Sequence, residues 1–333
     1  MDDKILMAHG NGGELMGSLI NKLIIEILGK DSVQLDDSAI VGPEEGKIVF
    51  TTDTYTITPI FFEGGDIGKL AVNGTVNDLA VMGAEPKYLS CGLILEEGLD
   101  MSEFEKILYS MKKAADYAEV RIVTGDTKVV ERGSADKIFI NTSGIGFQNN
   151  YSFRNEIKSG DVVIVNGTIG DHGISIMAER NGLSFSKGLS SDSAPLNKML
   201  MSLGREYGDH IKFVRDATRG GIASVLNEVA GDRDFSIKLI EDYLPIKNEV
   251  RGVCDILGLD PLYAANEGKV ILIVSKETAD DIVESMRKFP EGELSKVIGC
   301  VDSNYFGKVY IETYVKGHRI LPLLQEDQLP RIC

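Results

Sequence analysis

Two periods of hydrophobic spacing run along the chain. Leu15, Leu19, Leu23 and Ile27 recur at four-residue steps and Gly29 follows them, which predicts an amphipathic helix over 14–28 with a glycine stop. Apolar and β-branched residues over 47–55 predict a strand that runs into Thr52-Asp53-Thr54. A helix follows over 66–82, ended by Gly83 with Pro86 just beyond. Strands are predicted at 88–95, 121–124 and 137–147, with a helix over 102–117 between the first two. The turn-rich stretch 148–160 then divides the pattern. Beyond it, strands are predicted at 161–166, 236–239, 269–274 and 308–313, and helices at 173–180, 194–207, 220–230 and 277–288. Strands cluster in the first half instead of alternating strictly with helices, so the class is α+β and not a Rossmann-type double winding. The expected organisation is a domain over 1–150, a second α+β domain over 151–316, and a mobile tail over 317–333 with two prolines and no periodicity.

Composition narrows the function. The chain has 333 residues, 43% hydrophobic and 26% charged, which is ample for packed cores. Lys and Arg number 35 against 51 Asp and Glu, a net charge of −16, and that field disfavours nucleic acid and anionic membrane as partners. The four cysteines, Cys91, Cys254, Cys300 and Cys333, form no CxxC pair, and the four histidines include no HxxxH spacing, so neither a zinc site nor a disulfide framework is indicated. No apolar run approaches the ~20 residues of a membrane helix, and the Met-Asp-Asp-Lys start is wrong for a secretory leader. The expected location is the cytoplasm.

Several short motifs could carry chemistry. His9-Gly10-Asn11-Gly12-Gly13 leads directly into the first helix; it is either a plain tight turn or a backbone cradle for a phosphate. Acids stand at the ends of apolar runs or beside small residues: Asp36 and Asp37, Asp53, Asp78, Asp126 and Asp216. Singly, each reads as turn chemistry; together they could serve a Mg2+-nucleotide site, because Mg2+ takes oxygen ligands from several elements. Lys128 follows Gly125-Asp126-Thr127 and is either a hairpin lysine or a phosphate partner. Arg215-Asp216-Ala217-Thr218-Arg219-Gly220-Gly221 before a helix suits an anion. Glu267, between Asn266 and Gly268 at a strand entrance, is either a solvated turn residue or a general base. Cys333 ends the chain. Its neighbouring carboxylate disfavours the thiolate, which suits a passenger thiol loaded by another enzyme's activated donor.

Thr51-Thr52-Asp53, Gly74-Thr75-Val76-Asn77-Asp78-Leu79-Ala80, Gly125-Asp126-Thr127, the Asp216–Gly221 run and the glycine turn resemble the aminoimidazole ribonucleotide synthetase superfamily, which includes selenophosphate synthetase and thiamine-monophosphate kinase. The ending Pro330-Arg331-Ile332-Cys333 narrows the resemblance to the HypE family, the carbamoyl dehydratases of nickel–iron hydrogenase maturation; a selenophosphate synthetase would carry its reactive residue near the N-terminus, and the first cysteine here is Cys91. The resemblance implies a two-domain fold whose N-terminal strands pair into a dimeric barrel, with a flexible C-terminal tail. It implies that the carbamoyltransferase HypF loads Cys333, that ATP then drives dehydration of the thiocarboxamide to a thiocyanate, and that cyanide passes to iron on the HypC–HypD complex. The HypA and HypB nickel-insertion factors complete the set of implied partners. On these positions Cys333, Glu267 and Lys128 are expected in the chemistry. Asp37, Asp53, Asp78 and Asp126 are expected to hold Mg2+. His9, Gly10, Gly12, Gly13, Asp66, Asn77 and Asp216 are expected to hold ATP. Two alternatives stand beside this reading: a superfamily enzyme that shares the site, acts with ATP on a free small molecule and has no use for Cys333, and a non-catalytic carrier whose tail holds a cysteine-bound group and which needs no metal-nucleotide site.

Overall fold

The structure, a computed structural model, describes residues 3–10, 14–29, 41–42, 44–148, 151–183, 188–231, 233–324, 329 and 331–333. A first sheet is built from β1 (Lys47–Tyr55), β4 (Glu85–Glu96), β5 (Arg121–Val130) and β6 (Ile138–Gln148), in the order β1-β6-β4-β5. The two-residue strands β2 (Phe61–Phe62) and β3 (Gly65–Asp66) form a small hairpin beside it. One face of the sheet is covered by α2 (Ile67–Val81) and α3 (Met101–Ala118). The other face is open, with Ile48 70%, Phe50 64% and Ile94 42% exposed. The N-terminal helix begins as α1 (Glu14–Leu19) and continues with wider, π-type turns over Ile20–Gly29; Leu19, Leu23 and Ile27 are buried.

The second sheet has seven strands: β7 (Val162–Val165), β8 (Ile211–Asp216), β9 (Ser236–Ile240), β10 (Val270–Val274), β11 (Lys296–Asp302), β12 (Val309–Glu312) and β13 (His318–Ile320). Their order is β13-β12-β9-β11-β7-β10-β8. The central strands β7 and β10 are apolar throughout because both their faces are packed. The helices are α4 (Asp171–Arg180), α5 (Asn197–Tyr207), α6 (Gly221–Ala230), α7 (Asn248–Leu257) and α8 (Ala279–Met286).

Helix α2 joins the two halves. Nearly all of its side chains are buried, because it packs on β1 and β6, on α3, and on α5 and β8 of the second half. Close approach to β1 requires Gly74, where a Cβ would sit 2.1 Å from the Tyr55 hydroxyl. The strand 121–124 expected from sequence runs on to Val130, so Asp126 and Lys128 lie inside β5 and not on a hairpin. The irregular stretch expected from residue 317 begins later, since His318–Ile320 pairs with β12.

Candidate active site

Four acids from separate elements face one another where α2 meets the second half. Asp53 lies on β1 and Asp78 on α2, where its carboxylate accepts the Thr51 hydroxyl at 2.8 Å. Asp216 ends β8, and Glu267 stands just before β10. Glu267 is 3% exposed, and its Oε1 has no hydrogen-bond partner among the described residues. Burial and the charges of Asp216, Asp192, Asp53 and Asp78 push its carboxyl well above the usual range. Burial, then the charge of Asp78, raises Asp216 to about 7. Asp78 is also raised, by burial and by Asp53, against the opposing Thr51 hydrogen bond. Tyr55, fully buried, is raised by burial and by the charges of Asp53 and Glu267. Like charges gathered away from water hold their protons until a cation arrives.

The chain's own end reaches this seam. The Thr56 amide, just past the end of β1, donates to the terminal carboxylate of Cys333 at 3.1 Å, three residues from Asp53, or about 10 Å at strand spacing. Arg331 donates to the Thr56 carbonyl at 2.9 Å and pairs with Asp136. Leu329 and Ile332, 4% and 2% exposed, enter the apolar core that α4 shares with the first half. From α4, His172 lies 3.0 Å from the Ile332 carbonyl, and Arg180 donates to the Arg331 carbonyl. The tail over 317–333 was expected to be mobile; its last residues are seated between the two halves.

Other expected site residues take different places. Asp66 caps α2: its Oδ1 accepts from the amides of Gly68 (2.8 Å) and Lys69 (3.0 Å) and from the Ser110 hydroxyl. That cap is a structural reason for an acid at this point. Asn77, expected on a phosphate, instead stitches the halves together. It donates to the carbonyls of Ala194 (3.0 Å) and Glu267 (3.4 Å), and its own oxygen accepts from the Leu196 amide at 2.8 Å.

Asp126 and Lys128 do not join the cluster within one chain. The register runs Thr54–Asn141–Gly92–Asp126 across the sheet, so Asp126 is three strand spacings, roughly 14 Å, from β1. Both side chains also lie on the sheet's open face, whereas Asp53 and Tyr55 face α2. There Lys128 pairs with Asp126 at 2.7 Å and draws its carboxyl below the usual range. His9 and Gly10 lie beside the same strand, against Val129 on its core-facing side. His9 is buried, and a Cβ on Gly10 would sit 2.9 Å from Val129 of β5. Gly12, Gly13 and Asp37 lie outside the described residues.

Three residues of the seam gave no signal in the sequence. Asp192, in the loop before α5, is 3% exposed at its side chain. It holds Lys269 at 3.1 Å and accepts the Glu267 amide at 3.0 Å, and these partners overcome burial to keep its carboxyl low. His172 and Arg180, the tail's partners, stand on a helix that reads as ordinary packing.

Among the described residues no three acids, histidines or cysteines converge on one metal position. Mg2+ keeps several waters and is commonly held by one or two carboxylates plus the phosphates it escorts. Separated acids that share their repulsion fit that mode, and they do not fit an all-protein cage. No helix among the described residues is long and apolar enough to cross a membrane.

Residues 35–148 match the N-terminal domain of the AIR synthase related proteins, and residues 158–311 match their C-terminal domain. The carbamoyl dehydratase HypE of Rhizobium leguminosarum bv. viciae is 44% identical, covering 99% of this chain and 95% of its own. A crystal structure of the hydrogenase maturation protein HypE in complex with ATP superposes with a TM-score of 0.91 at 46% identity, covering 98% of this chain and 99% of that one. A HypE–HypF complex matches with a TM-score of 0.79 at 41% identity, over 94% of this chain and 100% of that one. Full-length similarity at this level, joined to a terminal cysteine seated beside a buried acid cluster, settles the family: the chain belongs to the HypE carbamoyl dehydratases of hydrogenase maturation.

Proposed function

We propose that this chain dehydrates a carbamoyl group borne on the Cys333 sulfur, consuming one ATP and leaving a thiocyanate. The amide oxygen is a poor leaving group, so it must depart as phosphate. The carbamoyl oxygen attacks the γ-phosphorus and ADP leaves; the C–O bond then breaks as the nitrogen gives up its two protons and becomes triply bonded to carbon. The sums balance as protein thiocarboxamide plus ATP giving protein thiocyanate, ADP and dihydrogen phosphate. Mg2+, when bound, neutralises charge on the triphosphate and so lowers the barrier to attack.

The chain's own residues do the rest. Asp53, Asp78 and Asp216 would hold the cation through one or two carboxylates and through water. Glu267 takes a nitrogen proton on its unpartnered Oε1. Its desolvated carboxylate is a strong base once a neighbouring cation has drawn off its resting proton. The Thr56–Cys333 hydrogen bond ties the tail end to the residue that follows β1 and makes a bimolecular encounter internal. That seat is the observation carrying the reading. Incubating the protein with HypF, carbamoyl phosphate, ATP and Mg2+, and weighing the C-terminal peptide, should give a thiocyanate adduct on Cys333. A peptide that stays unmodified or carbamoylated contradicts the reading.

HypF is the loading partner and the HypC–HypD complex the acceptor of cyanide; HypA and HypB act later, at nickel insertion. The cytoplasm, where carbamoyl phosphate and ATP are available, is the working compartment. The separation of Lys128 and Asp126 from the acids within one chain, with Ile48 and Phe50 exposed on the same sheet, supports a homodimer in which the two sheets associate. Each chain then lends Lys128 to its partner's seam. Refolding a mixture of Lys128→Ala and Glu267→Ala chains should restore about a quarter of wild-type turnover, since half the dimers are mixed and each holds one intact site. No recovery would place both residues in one chain's site.

A further inference from the structure

The seat of the tail depends on a relay that touches neither the acids nor the thiol. His172, on the first turn of α4, is fully buried and packed edge-on against Phe62, with ring centroids 5.6 Å apart. Its Nδ1 lies 2.8 Å from the Ser191 hydroxyl and its Nε2 lies 3.0 Å from the Ile332 carbonyl. The Ser193 amide donates to that same hydroxyl oxygen at 3.2 Å, and the Ser191 amide donates to the Glu63 carbonyl at 2.8 Å, tying the loop to the first half.

These contacts assign the hydrogens. The Ile332 carbonyl can only accept, so Nε2 must carry a hydrogen. With the hydrogen on Nε2, Nδ1 of a neutral ring is an acceptor, and the Ser191 hydroxyl, which can donate or accept, donates to it. Burial opposes the imidazolium, more than the charge of Asp192 favours it, so the ring is neutral. The carbonyl thus selects one of two tautomers, and the serine hydroxyl stabilises it from the other ring nitrogen. The other tautomer would turn a lone pair toward a carbonyl and repel the tail.

We propose that His172 is a positioning residue: its Nε2–H tautomer, stabilised by Ser191, is the latch that holds the backbone of Ile332 and so keeps Cys333 at the seam. Arg180 reinforces the latch through the Arg331 carbonyl and the Thr58 carbonyl. The role of the latch in turnover rests on the reading that Cys333 carries the reacting group; the latch itself does not.

Two readouts test it on the full-length protein with MgATP present. One is deuterium exchange at the Thr56 amide, whose partner is the terminal carboxylate of Cys333; the other is iodoacetamide alkylation of Cys333, followed on the C-terminal peptide. His172→Ala should accelerate both about tenfold, the factor for losing one buried hydrogen bond. Ser191→Ala should accelerate them two- to threefold, since it frees the tautomer without removing the ring. His172→Gln, which keeps an N–H donor, should recover part of the protection. Carbamoylation by HypF should be undiminished in His172→Ala while dehydration slows. Unchanged exchange and alkylation in a His172→Ala protein that still binds MgATP would overturn the latch. Should that variant fail to fold, unchanged rates in Ser191→Ala would overturn it equally. Faster exchange in a protein that HypF does not carbamoylate would support the latch and remove Cys333 from the chemistry.

Discussion

The acid seam and the seated tail lie about 10 Å apart along β1 and are held by different physics. The acids stand on β1, α2 and β8 and beside β10, elements locked by sheet ladders and by an almost fully buried helix. Moving any one of them means breaking the core. The tail end is held by two buried side chains and a handful of hydrogen bonds to backbone oxygens. Burying Leu329 and Ile332 contributes roughly 2–3 kcal/mol each and each hydrogen bond about 1 kcal/mol. Ordering five residues costs about 1–2 kcal/mol apiece, which cancels most of that gain. A fixed site and a marginally seated substrate arm are what a self-modifying enzyme needs, because the arm must also leave to be loaded and unloaded.

The comparison can be broken from either side. On the seam, Glu267→Gln should leave the tail seated and MgATP bound, yet slow dehydration by about a thousandfold, the worth of a positioned base. The carbamoyl form should then accumulate in intact-mass spectra, and prompt conversion would remove Glu267 from the chemistry. On the tail, Ile332→Ala should leave loading by HypF intact and slow dehydration by roughly tenfold or more, since a cavity loosens the seat and not the site. An equal loss of MgATP binding in that variant would mean the two regions are not separable.

The smallest effect concerns charge. An acid that holds its proton more tightly when folded contributes stability that is present at low pH and lost as pH rises through its folded value. For Asp216 that loss runs from roughly pH 4, the value of an unperturbed carboxyl, to about 7. The Tm of the ligand-free protein should therefore fall between pH 5 and 8. Asp216→Asn should lift the pH 8 value by about 2–4 °C in calorimetry, and tail variants should leave the slope unchanged. A flat profile would mean the acids do not share their charge.

Much of the fold was legible because long apolar runs such as Val270–Val274 and the glycine-closed helices carry their own period. The strand Ile211–Asp216 gave no signal because it is a sheet edge, with Lys212 and Arg215 interleaved among its apolar residues. Lys296–Asp302 is interrupted by Gly299 and a register shift. Asn248–Leu257 buries only Val250, Val253 and Cys254, too narrow a stripe to stand out. Motif chemistry singled out Asp53, Asp78, Asp216 and Glu267, and the fold brings these four acids together. Asp66 and Asn77 look the same in sequence, because a helix cap and a buried stitch use the polar groups a ligand site uses. Asp126 and Lys128 were grouped with the acids on the Gly125-Asp126-Thr127 motif and the resemblance it carries; the sheet register separates them within one chain. His172, Ser191 and Asp192 meet the tail and Glu267 only through tertiary contact, and no local pattern announces that.

The most direct test follows the oxygen. Protein loaded on Cys333 with a carbamoyl group carrying heavy oxygen, given MgATP for a single turnover, should release one labelled oxygen in each inorganic phosphate while the C-terminal peptide loses the mass of one water. Unlabelled phosphate, with the carbamoyl group still on the tail, would show that ATP hydrolysis and the seated cysteine are unconnected.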